Sequence, residues 1–294
     1  MSGPVVLAAA AAILFAAGNN LQRDAAAKVP AAGHGPVRLM ARLVRSPRWL
    51  AGSLCAVGGL LCQASALRQG GVILVQAVIA STLVYSLMME VALERRRPSS
   101  QQVVGAVAVV TGIVLLVGVG RPGAGGQLTS PWRSVPAWLA VALLGGGAML
   151  RARLRPRGRR TAIMLGAAAG ACFAVDAAFL RGLATAVEPF EPVMLTLNVA
   201  GFAAASAVGN LTIQRGFQLA PLRHVLPAMA ATEPVAAFSC GWLLFGERLQ
   251  AGPVGVTGVV GGLVLMVVGV LLCALQGPAA RAVRSNAEPD RVPS

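Results

Sequence analysis

The stretch GVILVQAVIASTLVYSLMMEVALERRRPSSQQVVGAVAVVTGIVLLVGVGR (residues 71–121) holds two long apolar runs with Arg95-Arg96-Arg97 wedged between them. A helix rises 1.5 Å per residue, so about twenty apolar residues cover the ~30 Å hydrocarbon core of a bilayer. Both runs meet that length, and the arginines between them mark a loop held on one side. The same pattern extends in both directions. Nine spans are predicted, at 3–22, 48–68, 71–93, 101–119, 133–150, 160–182, 191–214, 221–246 and 252–275. Basic residues crowd every second loop. With the N-terminus outside, 20 of the 25 basic residues fall inside, and only Arg68, Arg121, Arg133, Arg181 and Arg248 fall outside. Cytoplasmic loops carry the excess of Lys and Arg, so the bias predicts a plasma-membrane protein with its N-terminus outside and its C-terminus in the cytoplasm.

Composition agrees. Hydrophobic residues make up 56% of the 294-residue chain and charged residues 12%, far from a soluble domain. The net charge of +15 would suggest nucleic acid in a soluble chain. Here the charge is sorted by membrane side, so the expected partner is the lipid bilayer and not nucleic acid. Cys55, Cys62, Cys172, Cys240 and Cys273 lie within spans and show no C-x-x-C spacing, which favours small buried thiols over a disulfide or zinc site. Trp49, Trp132, Trp138 and Trp242 fall near span ends, as an aromatic belt requires. The first span lacks the basic n-region of a cleaved signal and is read as a retained helix.

Between the first two spans, Val37, Met40, Leu43 and Val44 share a helical face opposite Arg38, Arg42 and Arg45. That pattern fits a short helix in the headgroup layer, or equally a solvated loop. Residues 121–131 read as a loop, and 277–294 as a disordered cytoplasmic tail.

The chain also repeats itself. Gln63 and Gln214 stand 151 residues apart, and at that offset Val75-Gln76 meets Leu226-Pro227 and Ser81-Thr82 meets Thr232-Glu233. Leu93-Glu94 corresponds to Gly246-Glu247, and the pair Gly105 and Gly112 to Gly255 and Gly262. Spans one to four (3–119) thus resemble spans six to nine (160–275), with 133–150 as a joining helix, all within one integral domain of residues 1–276. The repeat interval is five spans, an odd number, so the second copy enters the membrane from the opposite face. The expected fold is an all-α polytopic bundle with an inverted 4+1+4 repeat, the architecture on which alternating access about a midplane site is built.

Of the ten acids only Asp176 and Glu233 sit well inside a span. A charge at the bilayer centre costs at least ~2.5 kcal/mol, so such an acid normally faces a cavity or a partner. Glu233 precedes Pro234, which frees a backbone carbonyl and bends the helix. It is the first choice for a proton- or cation-coupling carboxylate, against a structural acid hydrogen-bonded between helices. Asp176 has Arg181 near it, though five residues is poor spacing for a pair on one helical face. Glu90, beside Arg95 to Arg97, reads as a surface pair. Gln63, Gln76, Gln214, Asn19 and Asn198 can line a path or bond helices together. Gly166-x-x-x-Gly170 and Gly258-x-x-x-Gly262 permit close helix approach. His34 and His224 are far apart, and no hydrolase, metalloprotease or P-loop motif occurs. The sequence predicts no enzyme, no cofactor and no metal site.

The run Thr232-Glu233-Pro234-Val235 through Phe245-Gly246-Glu247-Arg248-Leu249 resembles the C-terminal half of EamA-type proteins of the drug/metabolite transporter superfamily. Glu94-Arg95 is a degraded copy of its Gly-Glu-Arg-Leu exit. The nine-helix layout, with Trp49 to Gly52 followed by Gly58-Gly59, is also similar to the NIPA-like magnesium transporters. That group carries an acid after the glycine, where this chain reads Gly59-Leu60-Leu61-Cys62-Gln63. The resemblance implies a secondary transporter moving a small metabolite by alternating access, with protons as the candidate coupling ion. The alternatives are a magnesium or other divalent-cation transporter, and a non-transporting membrane scaffold. The expected partners are a small-molecule or ion substrate and lipid, with the protein a monomer or homodimer.

Overall fold

The computed structural model describes residues 2–27, 45–93, 95, 97–123, 125–126, 130–154, 159–186, 192–219, 222–250 and 252–275. The amphipathic face at 37–44 and the tail from 277 lie outside them. Among the described residues helix predominates and no strand forms, and nine helical segments are long and apolar enough to cross a membrane. Their ends fall within four residues of the predicted spans, at Gly3–Gln22, Pro47–Gln69, Val72–Leu93, Ser100–Val119, Pro131–Leu154, Arg159–Thr185, Pro192–Phe217, His224–Phe245 and Gly255–Cys273. The protein is a polytopic helical bundle.

In chain order the helices are α1 (Ser2–Ala27), α2 (Pro47–Gln69), α3 (Val72–Ile79), α4 (Thr82–Leu93), α5 (Ser100–Val114), α6 (Pro131–Ala140), α7 (Gly147–Leu154), α8 (Arg159–Thr185), α9 (Pro192–Leu219), α10 (Leu222–Phe245) and α11 (Pro253–Leu275). Local chemistry sets several starts. Pro47 and Pro131 open α2 and α6, where a missing N–H costs nothing. Ser99 and Gln102 form a capping box at α5: the Ser99 Oγ accepts from the Gln102 N–H at 3.3 Å and Gln102 Oε1 accepts from the Ser99 N–H at 2.9 Å. Wider π-helical turns continue α5 over Leu115–Val119 and join α6 to α7 over Val141–Gly146.

The third span is not one helix. It breaks at Ala80–Ser81, where the Ser81 N–H bonds three residues back to the Val78 carbonyl at 3.0 Å and the Ser81 Oγ donates to the same carbonyl at 2.6 Å. Discontinuous helices of this kind are tolerated at membrane depth where they line a cavity.

α8 is the axis of the bundle. Its apolar window is 72% buried, where no other span exceeds 50%. It packs against α9 and α10, while α1 packs most closely on α2. α5 and α11 run antiparallel and cross where Gly112 meets the Gly262 carbonyl and Gly105 the Gly269 carbonyl.

Successive spans alternate in direction, so the bundle has two ends. Arg48, Arg97, Arg151, Arg160 and Arg215 mark an arginine-rich face; Arg68, Arg121, Arg133, Arg181 and Arg248 mark the other. The main core, with Leu67, Val72, Val75, Phe179, Leu244 and Phe245, lies toward the arginine-poor face. There the turn at 120–126 is fastened to 245–250: Gly123 N–H donates to Arg248 O at 3.0 Å, Gly126 N–H to Phe245 O at 2.7 Å, and Gln250 N–H to Gly120 O at 3.0 Å. The stretch predicted as a loop is thus docked in the part that is described.

Candidate functional site

A cavity of about 470 Å³ lies in the middle of the bundle. Small-molecule sites typically enclose ~300–1,000 Å³. Its walls come from both halves of the chain. α1 gives Phe15 and Asn19, α2 Gln63, α3 Gln76, α4 Thr82 and Ser86, α8 Phe173 and Asp176, α9 Phe202, and α10 Met229, Glu233 and Pro234. The break in the third span brings Ala80 and Thr82 into the wall.

Glu233 reaches this position because α10 lies nearly in backbone contact with α8. A Cβ on Gly166 would strike the Val225 carbonyl, and one on Gly170 the Met229 carbonyl and, at 3.1 Å, the Glu233 N–H. Only glycine allows that approach. Asp176 projects from α8 into the same space, near enough for its charge to act on Glu233. The Ser206 hydroxyl of α9 donates to Asp176 Oδ2 at 2.9 Å, while Asp176 Oδ1 is buried with no hydrogen-bond donor. The Thr82 hydroxyl is likewise buried and without a partner. Across the cavity Gln63 Nε2 donates to Gln76 Oε1 at 3.1 Å, tying α2 to α3. Among the described residues the walls hold no Arg, Lys or His.

Six of the eight residues singled out from sequence therefore meet at one cavity: Asn19, Gln63, Gln76, Asp176, Glu233 and Pro234. Two do not. Asn198 is buried between α8 and α9, packed on Gly182 with its amide donating to Met194 O at 2.9 Å. Gln214, the repeat partner of Gln63, is exposed on α9. Glu90, expected at the surface, is only 5% exposed, because α4 turns it toward the bundle interior.

The expected partner for Arg181 also changes. Its guanidinium forms a buried ion pair with Glu247, stands 4.2 Å from the centre of the Phe245 ring, and donates to the Gly126 carbonyl at 3.3 Å. Glu247 accepts further from the Val72 N–H at 2.6 Å and the Ile73 N–H at 2.9 Å, which are the free donors at the start of α3. Burial pushes the Glu247 carboxyl up from its ordinary range, while Arg181 and the two backbone donors pull it back down. A carboxylate at a helix N-terminus with three donors has its charge well matched. This cluster was not assigned from sequence, where Glu247 stands just past an apolar run. The signals for it were an arginine inside a span and the Gly246-Glu247 turn, where Gly246 adopts φ +62°.

A second space, a vestibule of about 690 Å³ lined by Gln69, Gly71, Leu74, Arg121 and Gln250, lies at the arginine-poor face beside the start of α3 that Glu247 caps. Asn19, toward the arginine-rich face, is the exposed residue of the central cavity's wall.

Residues 35–118 match the EamA-like transporter family. The match covers the second, third and fourth spans, including Gln63, Gln76 and the break at Ala80–Ser81. An uncharacterized protein of Corynebacterium glutamicum is 28% identical to this chain over 255 residues, 84% of this chain and 86% of the relative. No solved structure matches. The EamA-like family is one of transporters, not enzymes, and supports a place in the drug/metabolite superfamily.

Proposed function

We propose that the protein is a secondary transporter that moves a small metabolite through the central cavity by alternating access. The observation that carries this is a cavity walled by both halves of the chain and holding Asp176 and Glu233, with a buried Arg181–Glu247 ion pair at the start of α3 toward the arginine-poor face. The antiparallel α5–α11 crossing at Gly112 and Gly262 is the contact that a two-fold axis in the membrane plane produces, which supports an inverted repeat of 3–119 and 160–275 about the joiner α6–α7. In the repeat, Ser81-Thr82 corresponds to Thr232-Glu233. Both places disturb helical hydrogen bonding at the cavity, one by the break in the third span and the other by Pro234 within the continuous α10.

With the arginine-rich face in the cytoplasm, the described state is closed outward and faces inward. The Arg181–Glu247 pair and the first turn of α3 form the outer closure, and transport requires them to separate. Glu233, with Asp176 beside it, is the proton-coupling acid: it takes up a proton in one access state and releases it in the other.

Proteoliposomes carrying the purified chain test the proposal. Given a cytosolic metabolite extract and a pH gradient, they accumulate at least one small metabolite above protein-free vesicles, as read by mass spectrometry. If nothing accumulates in either direction of the gradient, the transport proposal fails.

A further inference from the structure

We infer that the cavity takes a protonated amine carried on an apolar, aryl-sized body. This rests on the transport proposal for its physiological meaning, but the binding it claims stands on the cavity wall alone.

Charge comes first. Asp176 and Glu233 both face the space, and among the described residues no Arg, Lys or His lines it. An anionic ligand would enter a low-dielectric pocket against two carboxyl groups with nothing to offset its charge, whereas a cation is attracted there. Hydrogen bonding narrows the class. The wall's donors are neutral amides and hydroxyls, on Asn19, Gln63, Gln76, Thr82 and Ser86, while its two ionisable groups are carboxyls. Asp176 Oδ1 and the Thr82 hydroxyl oxygen are buried without partners. Pro234 has no N–H to give the Ala230 carbonyl, and Ala230 is part of the wall. An ammonium group offers up to three N–H donors and accepts nothing, so it complements such a wall. A quaternary ammonium has the charge but no donors.

The rest of the wall defines the body. Phe15, Leu60, Leu83, Phe173, Phe202 and Met229 surround the polar centre. Aromatic faces favour an adjacent cation and an adjacent ring. A hydrated divalent ion, which keeps several waters and asks for oxygen ligands around its whole surface, would leave these side chains against water. Three Phe and three aliphatic or thioether side chains suit an aryl or alkyl group.

The test is equilibrium binding to the purified full chain in nanodiscs, without any gradient. The probes are 2-phenylethylammonium, benzyltrimethylammonium, 2-phenylethanol, 3-phenylpropanoate and Mg²⁺. The primary ammonium is expected to bind at least tenfold tighter than the alcohol and the carboxylate, and tighter than the quaternary ion. Asp176→Asn and Glu233→Gln, checked for monodisperse folding by gel filtration, each cut the preference for ammonium over alcohol to threefold or less. Carboxylate or Mg²⁺ binding as tight as the ammonium overturns the inference, as does failure of the ammonium to bind at millimolar concentration. The wild-type series decides without the variants if either misfolds. Transport failing while the ammonium binds would remove the transport proposal and leave this one; accumulation of an anionic metabolite without ammonium binding would do the reverse.

Discussion

Arg181 and Glu247, 66 residues apart in sequence, meet in a buried ion pair that also caps the start of α3. Three chain segments converge there: the end of α8, the turn after α10 and the first residues of α3. Removing one partner of a buried pair strands the other charge and costs ~3–5 kcal/mol, whereas replacing both by neutral groups costs far less. Arg181→Met and Glu247→Gln should each lower thermal stability in detergent strongly. The double variant should recover a large part. A double variant as unstable as the sum of the two singles would show that the pair is not coupled.

The same pair should govern exposure at the arginine-poor face. Spin labels at Gln69 and Gln250, both on the vestibule wall, should report one dominant short distance in the wild type. A second, longer population should grow in Arg181→Met. An unchanged single distance would mean that this end does not open.

Gly170 offers a test of how Glu233 is positioned. Gly170→Leu places a side chain against the Met229 carbonyl and the backbone of Glu233, and such overpacking costs about 1–3 kcal/mol. It should also push Glu233 away from Asp176 and weaken ligand binding. Gly261→Ala, where nothing lies within 4 Å of the new Cβ, is the control and should be neutral or slightly stabilising. Equal effects at both positions would contradict the close approach of α8 and α10.

Glu233→Gln keeps shape and hydrogen bonding but cannot titrate. One charge crossing 100 mV is worth ~2.3 kcal/mol, roughly a fiftyfold gradient. The variant should fold, retain substrate exchange between vesicle interior and medium, and lose pH-driven accumulation. Undiminished pH-driven uptake would pass the coupling role to Asp176.

Reporter fusions at Arg153 and Arg97 should be active only as cytoplasmic reporters, and one at Arg133 only as a periplasmic reporter. The reverse pattern would invert the whole bundle and make the described state outward-facing.

The spans were legible because apolar length and the side on which arginines fall are read along the chain, without knowledge of packing. The cavity was partly legible for the same reason: a carboxylate at bilayer depth, such as Glu233 or Asp176, has few places to go. What escaped depends on contacts between distant segments. The break at Ala80–Ser81 has no proline or glycine to announce it; it arises as the Ser81 hydroxyl and N–H both turn to the Val78 carbonyl. Glu247 looked like a loop acid because nothing in its neighbourhood shows that the start of α3 lies across from it. Gln214 looked equivalent to Gln63 by repeat, yet faces outward while Gln63 bonds Gln76. Internal similarity carries over helix order more faithfully than it carries over which face of a helix points inward.

Pro234 leaves the main-chain carbonyl of Ala230, a residue of the cavity wall, without its usual helical donor. The Ala230 carbonyl is present whatever side chain stands at position 230, so alanine or cysteine scanning of the lining residues will pass over it. Substituting position 234 instead would restore an N–H to the α10 ladder for that carbonyl while leaving every other side chain of the wall in place. Two homologues alike at every other lining residue could then differ in what they accept through a single imino acid, whose effect runs through the main chain and not through the side chain it adds or removes.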